Sequence, residues 1–566
     1  MANQMLIWIR LRWRLITLIL IPLIFLPLPI IINLPQAKCG YIVIIISVYW
    51  IFEIIPLPVT SLLPLVLFPM AGVLKAETVA PLYFTDITAL FFGSLAFAHA
   101  IESVNLHRRI ALFVLSLVGT STKWTMAGLM GVTAFLSMWI SNTAAVSIML
   151  PVSLAIIGEV QQQVTDLADK SQANKEATTA ANEVIELNEI GVSNGHTKTR
   201  VILNASELEE QKTKVSVEVK TRFRQPWQRH DQLTVDRLHL KRFDDLRKGF
   251  LLSIAYAATI GGLASLVGTG TNVFVKGYID ETYRGTAFRV NFLNFLLFGL
   301  PVGVIMLILC WLWLQILYNR TEFFKCHTDP EDRVSQGKLK AMLVKQYKDL
   351  GKPRYMDDST VAVLCGLLPL ILPNSNPFQK NWKYESIVQW KVLVKSVSWD
   401  AIFLLGAGLS VASAFKTSKL SDSVAQVLKF LDGIPNAAII VLVIVISGLF
   451  TEVTSNISTA SIFLPILDSV ARSSFIHPGL LVLPCTLAVS LAFMLPIATP
   501  PNAIIFGSGG LRVIDMVKAG IVMNILGFLV VFLAATTWMP KIYGLDDRAT
   551  EIFYSINITT STAAGY

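Results

Sequence analysis

The chain has 566 residues, of which 54% are hydrophobic and only 15% are charged, and its mean hydropathy is +0.60. Charged residues make up about a quarter of an ordinary soluble protein, so this composition excludes that class. The formal net charge of +9 does not indicate nucleic-acid binding, because the basic residues fall beside apolar runs, where the positive-inside rule accounts for them. The five cysteines are scattered without CxxC spacing, which indicates neither a metal site nor a disulfide framework.

The first half of the chain begins with a basic leader followed by long apolar runs. Arg10, Arg12 and Arg14 precede an apolar run without a small-residue cleavage site. This pattern predicts a retained first helix with a cytoplasmic N-terminus. Three further spans are predicted over residues 41–55, 57–74 and 85–104, since apolar runs of about 20 residues can cross a bilayer as helices.

Residues 124–158 are apolar but are broken by Ser137, Ser141, Asn142 and Thr143. One interpretation is a full span with a polar centre. A helical hairpin that enters the membrane and returns on one face is favoured, because non-helical backbone survives at membrane depth only where it lines protein or a wet cavity.

The next segments alternate between hydrophilic and apolar sequence. Residues 161–248 are hydrophilic and predict a largely disordered cytoplasmic loop. Residues 250–278 predict a span interrupted at Gly268–Asn272, and residues 291–317 predict the sixth span. The basic segment 319–358 is expected in the cytoplasm.

The second half repeats the first. The sequence SNTAAVSIMLP at 141–151 returns 314 residues later as SNISTASIFLP, with six of eleven positions identical. A second pair, GTGTNVFVKG at 268–277 and ATPPNAIIFG at 498–507, shares Thr, Asn and Gly in register. Internal repeats with interrupted apolar segments at corresponding positions are typical of secondary transporters.

The second copy predicts fewer spans than the first. An LLPLILP helix over 360–373, an amphipathic interfacial segment over 375–398 and a span over 399–415 precede a second broken hairpin over 436–469. An interrupted span over 480–506 and a last helix over 517–538 follow. No apolar span precedes the LLPLILP helix, so the copy is short by one helix. The tail carries the sequon Asn557-Ile558-Thr559, which would be glycosylated outside the cell.

The predicted fold is therefore an all-α polytopic membrane protein of about ten spans. It is built as an inverted repeat with two re-entrant helical hairpins and interrupted transmembrane helices. The boundaries are N-terminal scaffold helices 1–122, first hairpin 123–160, cytoplasmic loop 161–248, interrupted helix and sixth span 249–318, basic loop 319–358, second scaffold helices 359–433, second hairpin 434–470, interrupted helix and last span 471–540, and an extracellular tail 541–566.

The polar breaks suit the binding of ions. Backbone carbonyls and Ser, Thr and Asn oxygens can replace the hydration shell of sodium without a permanent charge, and helix N-termini can hold an anion. The alternative is that Ser and Asn here are interhelical packing partners, and that Thr499-Pro500-Pro501 is only a kink. Duplication of the motifs in register favours ion binding.

Acidic residues within apolar sequence are few. Asp86 and Asp400 lie at predicted span starts, where a structural role suffices, and Glu452 is a weaker site candidate. No helix presents a chain of acids suited to a proton relay, which favours sodium as the coupling ion. The chain has no P-loop, HExxH or nucleophile-elbow motif. It is expected to be a transporter without a cofactor, and not an enzyme.

Three motifs resemble one family. SMWISNTA at 137–144, TEVTSN at 451–456 and LPIATPPNAIIF at 495–506 are similar to those of the sodium-coupled di- and tricarboxylate/sulfate cotransporters, the divalent anion:sodium symporter family or solute carrier family 13. The resemblance implies a plasma-membrane homodimer in which a transport domain moves elevator-like against a scaffold. It implies sodium sites at Ser137, Ser141, Asn142 and Gly268 and at Thr451, Ser455, Asn456 and Ala498, and substrate contacts at Asn142, Thr143, Thr269, Gly270, Asn456, Thr499 and Pro500.

Two departures from the family pattern bear on function. Ile457 follows the second Ser-Asn where a Thr hydroxyl would contact substrate, and the absent span corresponds to the seventh of eleven helices in the family. Thr499 resembles the carboxylate branch, which favours succinate or citrate over sulfate. Two further hypotheses are a non-transporting variant that dimerises with an intact transporter, and a channel.

Overall fold

The computed structural model describes residues 2–85, 88, 92–93, 122–158, 226–320, 391, 394, 399–427, 434–546 and 550–554, with side chains from Arg12 onward and, in the helix that begins at Pro226, from Lys241. Every regular element within these ranges is helical. Outside them lie most of the predicted fourth span, the basic loop 319–358 beyond residue 320, the predicted segments 360–373 and 375–398 except 391 and 394, and Asn557.

The helices are numbered in chain order. They are α1 Ala2–Phe25, α2 Pro27–Ile31, α3 Pro35–Phe52, α4 Leu57–Met70, α5 Ala76–Val79, α6 Thr122–Ser137, α7 Asn142–Gly158, α8 Pro226–Ala264, α9 Gly270–Thr282, α10 Phe292–Tyr318, α11 Trp399–Thr417, α12 Leu420–Val427, α13 Asn436–Phe450, α14 Asn456–Ser473, α15 Gly479–Ala488, α16 Pro500–Gly507, α17 Val513–Thr536 and α18 Met539–Tyr543, with a 3-10 turn at Ala80–Tyr83.

Four of the described helical stretches are long and apolar enough to cross a membrane: Arg12–Ile31, Pro35–Phe52, Phe292–Tyr318 and Val513–Thr536. Their outer faces expose large apolar side chains; Ile31, for example, is 79% exposed. Exposed apolar surface on this scale is unfavourable in water and is satisfied by lipid. The chain is therefore a multi-pass membrane protein.

The chain divides into two compact units. The larger comprises residues 1–152 and 249–566, and the smaller comprises residues 153–248. The smaller contains the end of α7 and the start of α8, where an ion pair of 2.8 Å joins Lys248 to Asp244 one turn earlier. The breaks between α6 and α7 and between α8 and α9 both belong to the larger unit.

Most of the predicted loop 161–248 lies outside the described residues, and the part that the structure describes, from Pro226 onward, is helical because α8 begins there. Proline is favoured in the first helical turn, where its missing N–H has no partner to lose. The residues from Trp227 to Lys248 contain neither glycine nor proline, so nothing interrupts the helix. The segment is polar enough to resemble a loop by composition, although it is helical by propensity.

Helices α3, α4 and α11 form one apolar core in the larger unit. Ile46 and Trp50 from α3, Phe68 from α4 and Leu404 from α11 are buried in it together. Tyr83 is buried in the same core, and its hydroxyl donates to the main-chain oxygen of Ser61 at 2.6 Å. Such hydrogen bonds satisfy polar atoms that would otherwise be costly to bury.

Helices α8 and α9 pack against the chain around Phe493, against α14 and against α6. The Tyr256 hydroxyl on α8 donates to the main-chain oxygen of Phe493 at 3.0 Å, and the Tyr278 hydroxyl on α9 donates to that of Leu464 on α14 at 3.2 Å. Helix α6 lies so close to α8 that a methyl group added to Gly261 would clash with the Ala134 carbonyl and lie 2.6 Å from its Cα. Small residues at such crossings allow close backbone approach.

An aromatic cluster surrounds His477 in the loop between α14 and α15. Its ring lies 4.8 Å from that of Phe553 and 5.1 Å from that of Phe288, measured between centroids. The Nδ1 atom accepts a hydrogen bond from the Gly479 N–H at 3.1 Å. Burial among these rings lowers the pKa of His477 to about 4.

The close contact between α6 and α8 predicts that Gly261→Ala destabilises the protein, because main-chain atoms of Ala134 cannot move aside. We expect a loss of about 2 kcal/mol or more, typical of overpacking. Gly131→Ala is the matched control, since its added methyl group meets no atom within 4 Å. Thermal unfolding of the purified proteins gives the melting temperature of each variant. Equal melting temperatures for Gly261→Ala and Gly131→Ala would contradict the close contact between α6 and α8.

The lowered pKa of His477 predicts that acid loosens the aromatic cluster. The folded state favours the neutral ring, so this contribution is full above the ordinary pKa of about 6.5 and is lost as the pH falls towards about 4. Hydrogen exchange of residues 474–478 and 550–554 should rise over that range in the wild type. In His477→Phe the rise should be absent, and a rise of the same size would show that another group is responsible.

Candidate functional site

The first break separates α6 from α7. The Ser137 hydroxyl, buried at the end of α6, donates to Asn142 Oδ1 at 2.6 Å. Ser141 caps α7, because its Oγ accepts the Ala144 N–H at 3.3 Å. Thr143 is exposed at the first turn of α7. The predicted residues of this hairpin therefore surround one helix start.

The second break, between α13 and α14, has the same arrangement 314 residues later. The Thr451 hydroxyl lies 2.9 Å from Asn456 Oδ1 and 2.7 Å from the Val489 carbonyl oxygen. It can donate its one proton to the Val489 oxygen. Ser455 caps α14 by accepting the Ser458 N–H at 3.2 Å. At both breaks the side-chain oxygen of an asparagine contacts a hydroxyl five residues earlier, so the sequence repeat is also a repeat of local structure.

The breaks in the two interrupted helices are also alike. Asn272 Nδ2 donates to the carbonyls of Gly262 and Ser265 at 3.2 and 2.8 Å. Asn502 Nδ2 donates to those of Ala492 and Leu495 at 3.0 and 3.1 Å. In each case the acceptors lie ten and seven residues before the asparagine. These carbonyls lie in the last turn of a helix or just after its end, where main-chain oxygens lack helical hydrogen-bond partners.

Three buried oxygens at these breaks have no hydrogen-bond partner within the part of the chain that the structure describes. They are Asn272 Oδ1, Asn502 Oδ1 and Thr499 Oγ1. An unpaired buried acceptor costs about 1–3 kcal/mol. Oxygen atoms free to accept, beside unpaired helix ends, match the ligands that a small hard cation requires.

The break between α6 and α7 meets the break between α8 and α9 at Gly262. A methyl group there would clash with Asn142 Oδ1 and lie 2.8 Å from Thr269 Cγ2. The Ser265 hydroxyl donates to the Met138 carbonyl at 2.5 Å. Gly268 lies against Gly262, since an added methyl group would be 2.6 Å from its oxygen. The structure thus brings Ser137, Asn142, Gly268 and Thr269 together, with Gly270 starting α9 beside them.

The break between α13 and α14 meets the break between α15 and α16 through two residues. Thr451 contacts the Val489 carbonyl, and Glu452 contacts the residues that follow it. The Glu452 carboxylate accepts the main-chain N–H groups of Phe493, Met494 and Leu495 at 2.9–3.2 Å. Ala498 and Thr499 are buried beyond this stretch, and Pro500 is exposed as the first residue of α16. The Ala498 N–H donates to the Leu495 carbonyl, which also accepts from Asn502.

Several residues of the site were not among those predicted from sequence. Gly262, Ser265, Val489 and Asn524 each contact a break directly. Two had a signal: Gly262 belongs to a Gly-Gly pair within an apolar helix, and Asn524 is a lone amide in the apolar α17. Val489 contributes only main-chain oxygen, which sequence does not reveal. The described residues contain no group of three or more His, Cys, Asp and Glu able to hold a metal ion.

Comparison with known proteins confirms the resemblance seen in the motifs. Residues 8–545 match the family described as the sodium:sulfate symporter transmembrane region. The chain is 35% identical to the Na(+)/citrate cotransporter of Mus musculus, over 94% of this chain and 95% of that protein. It is 34% identical to solute carrier family 13 member 1 of Rattus norvegicus, over 94% and 96%.

A third relative is the Na(+)/dicarboxylate cotransporter 3 of Homo sapiens, which is 33% identical over 96% of this chain and 95% of its own length. Each match spans nearly all of both proteins, so the similarity is not confined to a single motif. The chain belongs to the sodium:sulfate symporter family, whose members are sodium-coupled membrane cotransporters and not enzymes.

Proposed function

We propose that this protein carries di- or tricarboxylates, such as succinate or citrate, across the membrane together with sodium ions. The observation that carries the proposal is the repeated geometry of the breaks: hydroxyl to asparagine oxygen in both hairpins, and asparagine amide to two carbonyls in both interrupted helices. Relatives named as citrate and dicarboxylate cotransporters support it.

The sodium ions would lie where helices end. Helices α6, α8, α13 and α15 all stop at a break, and the C-terminal end of a helix carries partial negative charge and free carbonyl oxygens. The unpaired oxygens of Asn272 and Asn502 lie at the same breaks. One ion would be held by Ser137, Ser141, Asn142 and Gly268, and the other by Thr451, Ser455, Asn456 and Ala498.

The anionic substrate would lie where helices begin. Helices α7, α9, α14 and α16 start at the breaks, and a helix N-terminus offers free N–H groups and about half a positive charge. All the predicted substrate contacts cap these helices or belong to their first turns: Asn142, Thr143, Thr269, Gly270, Asn456, Thr499 and Pro500. Sodium would neutralise the carboxylates that these termini orient.

The proposal prefers carboxylates to sulfate because of Thr499. This residue resembles the carboxylate branch of the family, and relatives named as citrate and dicarboxylate cotransporters match nearly the whole chain. Its buried hydroxyl has no partner among the described residues and can donate to an oxygen of either anion. Sulfate is the second candidate, since the matching family is described by sodium:sulfate symport. The same four helix starts would hold either anion.

We extend the proposal to the mode of transport. The tyrosine contacts between the interrupted helices and the second hairpin would let the binding residues move as one body, as an elevator-type mechanism requires. The proposal includes re-entrant hairpins within an inverted repeat of about ten spans. It also includes a homodimer, the plasma membrane and a cytoplasmic N-terminus.

Uptake measurements test the proposed function directly. Cells that express the chain should accumulate labelled succinate or citrate faster than labelled sulfate, and only when sodium is present. Replacing sodium with choline should reduce uptake to the level of untransfected cells. Carboxylate uptake that is indifferent to sodium would refute the proposal, and faster uptake of sulfate would establish the second candidate.

Removing either hairpin hydroxyl should weaken sodium binding. Ser137→Ala and Thr451→Ala should each raise the sodium concentration for half-maximal uptake by about three- to tenfold, since a lost polar contact costs about 0.5–1.5 kcal/mol. Ser253→Ala is the matched control, because this buried hydroxyl bonds only to the Phe250 carbonyl of its own helix. A sodium activation curve shifted equally by all three variants would contradict the assigned sites.

A further inference from the structure

Two buried threonines flank the start of α14. Thr454 lies just before the helix cap Ser455, and Thr459 is the fourth residue of the helix. Their side chains are only 6% and 0% exposed, and their hydroxyl oxygens are 2.5 Å apart. This threonine pair therefore links the chain outside the helix to the first turn inside it.

Each hydroxyl of the pair also reaches a main-chain oxygen. Thr454 Oγ1 lies 3.0 Å from the carbonyl oxygen of Phe450, the last residue of α13, and Thr459 Oγ1 lies 3.0 Å from that of Ser455. A hydroxyl has one proton to donate, so the two can make only two of these three hydrogen bonds at a time. Oxygens 2.5 Å apart need a proton between them. One bond therefore always joins the two threonines, and the other ties the pair to Phe450 or to Ser455.

The first break has the same backbone without this pair. The Thr459 N–H donates to the Ser455 carbonyl at 2.9 Å, and the Ala145 N–H donates to the Ser141 carbonyl at 3.0 Å. The positions 314 residues before the two threonines are Ile140 and Ala145, which are buried and apolar. An apolar pair at these two positions, just before the cap and fourth in the helix, commonly fixes the entry of a chain into a helix. The second break has a hydrogen bond there instead.

A hydrogen bond constrains the chain more closely than an apolar pair does at this place. Apolar contacts within a membrane gain little from the hydrophobic effect, because lipid is equally apolar, whereas a hydrogen bond sets both distance and direction. Asn456 lies between the two threonines in sequence, and its Oδ1 is 2.9 Å from the Thr451 hydroxyl. The threonine pair therefore restricts the segment that carries this oxygen.

We propose that Thr454 and Thr459 are positioning residues that hold Asn456 in its ion-binding geometry before sodium arrives, so that the second sodium site is preformed. This inference rests on the proposed function. Neither threonine is among the proposed ligands, and both act through the backbone at the start of α14. An ion that enters a preformed site does not have to order the chain, and it binds more tightly for that reason.

The test compares sodium activation of uptake in the wild type with that in Thr454→Val and Thr459→Val, which keep the side-chain shape and lose the hydroxyl. Each should raise the half-activating sodium concentration about three- to tenfold, the effect expected for the loss of one hydrogen bond. The double variant should shift the curve by less than the product of the two single shifts, since the residues share a bond. Saturating sodium should restore the maximal rate to within twofold of the wild type, because the ion then orders the break.

Conservative variants and a matched control separate the hydroxyls from packing. Thr454→Ser and Thr459→Ser keep the hydrogen bond, so their sodium curves should stay within twofold of the wild type. Thr133→Val should also leave the curve unchanged, because this buried hydroxyl bonds only to the Leu129 carbonyl of its own helix.

Two measurements on purified protein require no transport. In sodium-free buffer, hydrogen exchange of residues 455–459 should be faster in the two valine variants than in the wild type. Stabilisation by sodium, measured as a shift in melting temperature, should be smaller in the valine variants and unchanged in the serine variants.

The outcomes distinguish the proposed function from the role of the threonine pair. If the wild type shows neither sodium-dependent uptake nor stabilisation by sodium, the proposed function fails. If the wild type shows both, but the two valine variants keep its sodium curve, only the role of the pair fails. Equal shifts in the serine and valine variants would overturn the hydrogen bond in favour of side-chain packing.

Discussion

The hydrogen bonding of main-chain groups around the helix breaks is the constraint on which the rest of the structure depends. A bilayer offers no water to an unpaired N–H or C=O, so a chain that leaves the helical path inside it must supply every partner itself. Here two asparagine amides hold the carbonyls on one side of the interrupted helices. Serine and threonine hydroxyls at the hairpin breaks contact asparagine oxygens. Each of these side chains therefore contacts a group at one specific break, while three further buried oxygens at the breaks have no partner among the described residues.

The two halves solve this problem with one common plan and one difference. Both use an asparagine that reaches back seven and ten residues. The first half keeps its helix long and needs only Ser265, whose hydroxyl ties the break to the Met138 carbonyl of the hairpin. The second half unwinds further and relies on a carboxylate. The two halves therefore satisfy the main-chain groups of corresponding breaks with different side chains.

Much of the fold and of the candidate site could be predicted from sequence. Polar residues in apolar runs stand out, and the structure breaks its helices at Ser137–Asn142, at residues 265–269 and at their counterparts. The helix that begins at Pro226 was missed, because its composition is that of a loop and only its lack of glycine and proline indicates otherwise. Glu452 appeared as a weak candidate on charge alone.

The partners of Glu452 could not be predicted, since they lie 41 to 72 residues away along the chain and three of them are main-chain groups. Tertiary packing determines such contacts, and a single sequence carries no trace of them. For the same reason, the close approach of Gly262 to Asn142 becomes visible only once the two helices are in place.

The Gly261-Gly262 pair has an effect beyond the room it leaves for α6. Glycine is about 1 kcal/mol less favourable than alanine in a helix interior, and this pair lies within the last turn of α8, two residues before its end. The lack of side chains at Gly261 and Gly262 therefore permits the close contacts and also lowers the stability of the helix near its end. The end of α8 is therefore held by its neighbours, Ala134 and Asn142, more than by its own helix propensity, and the order of its final turn depends on their presence.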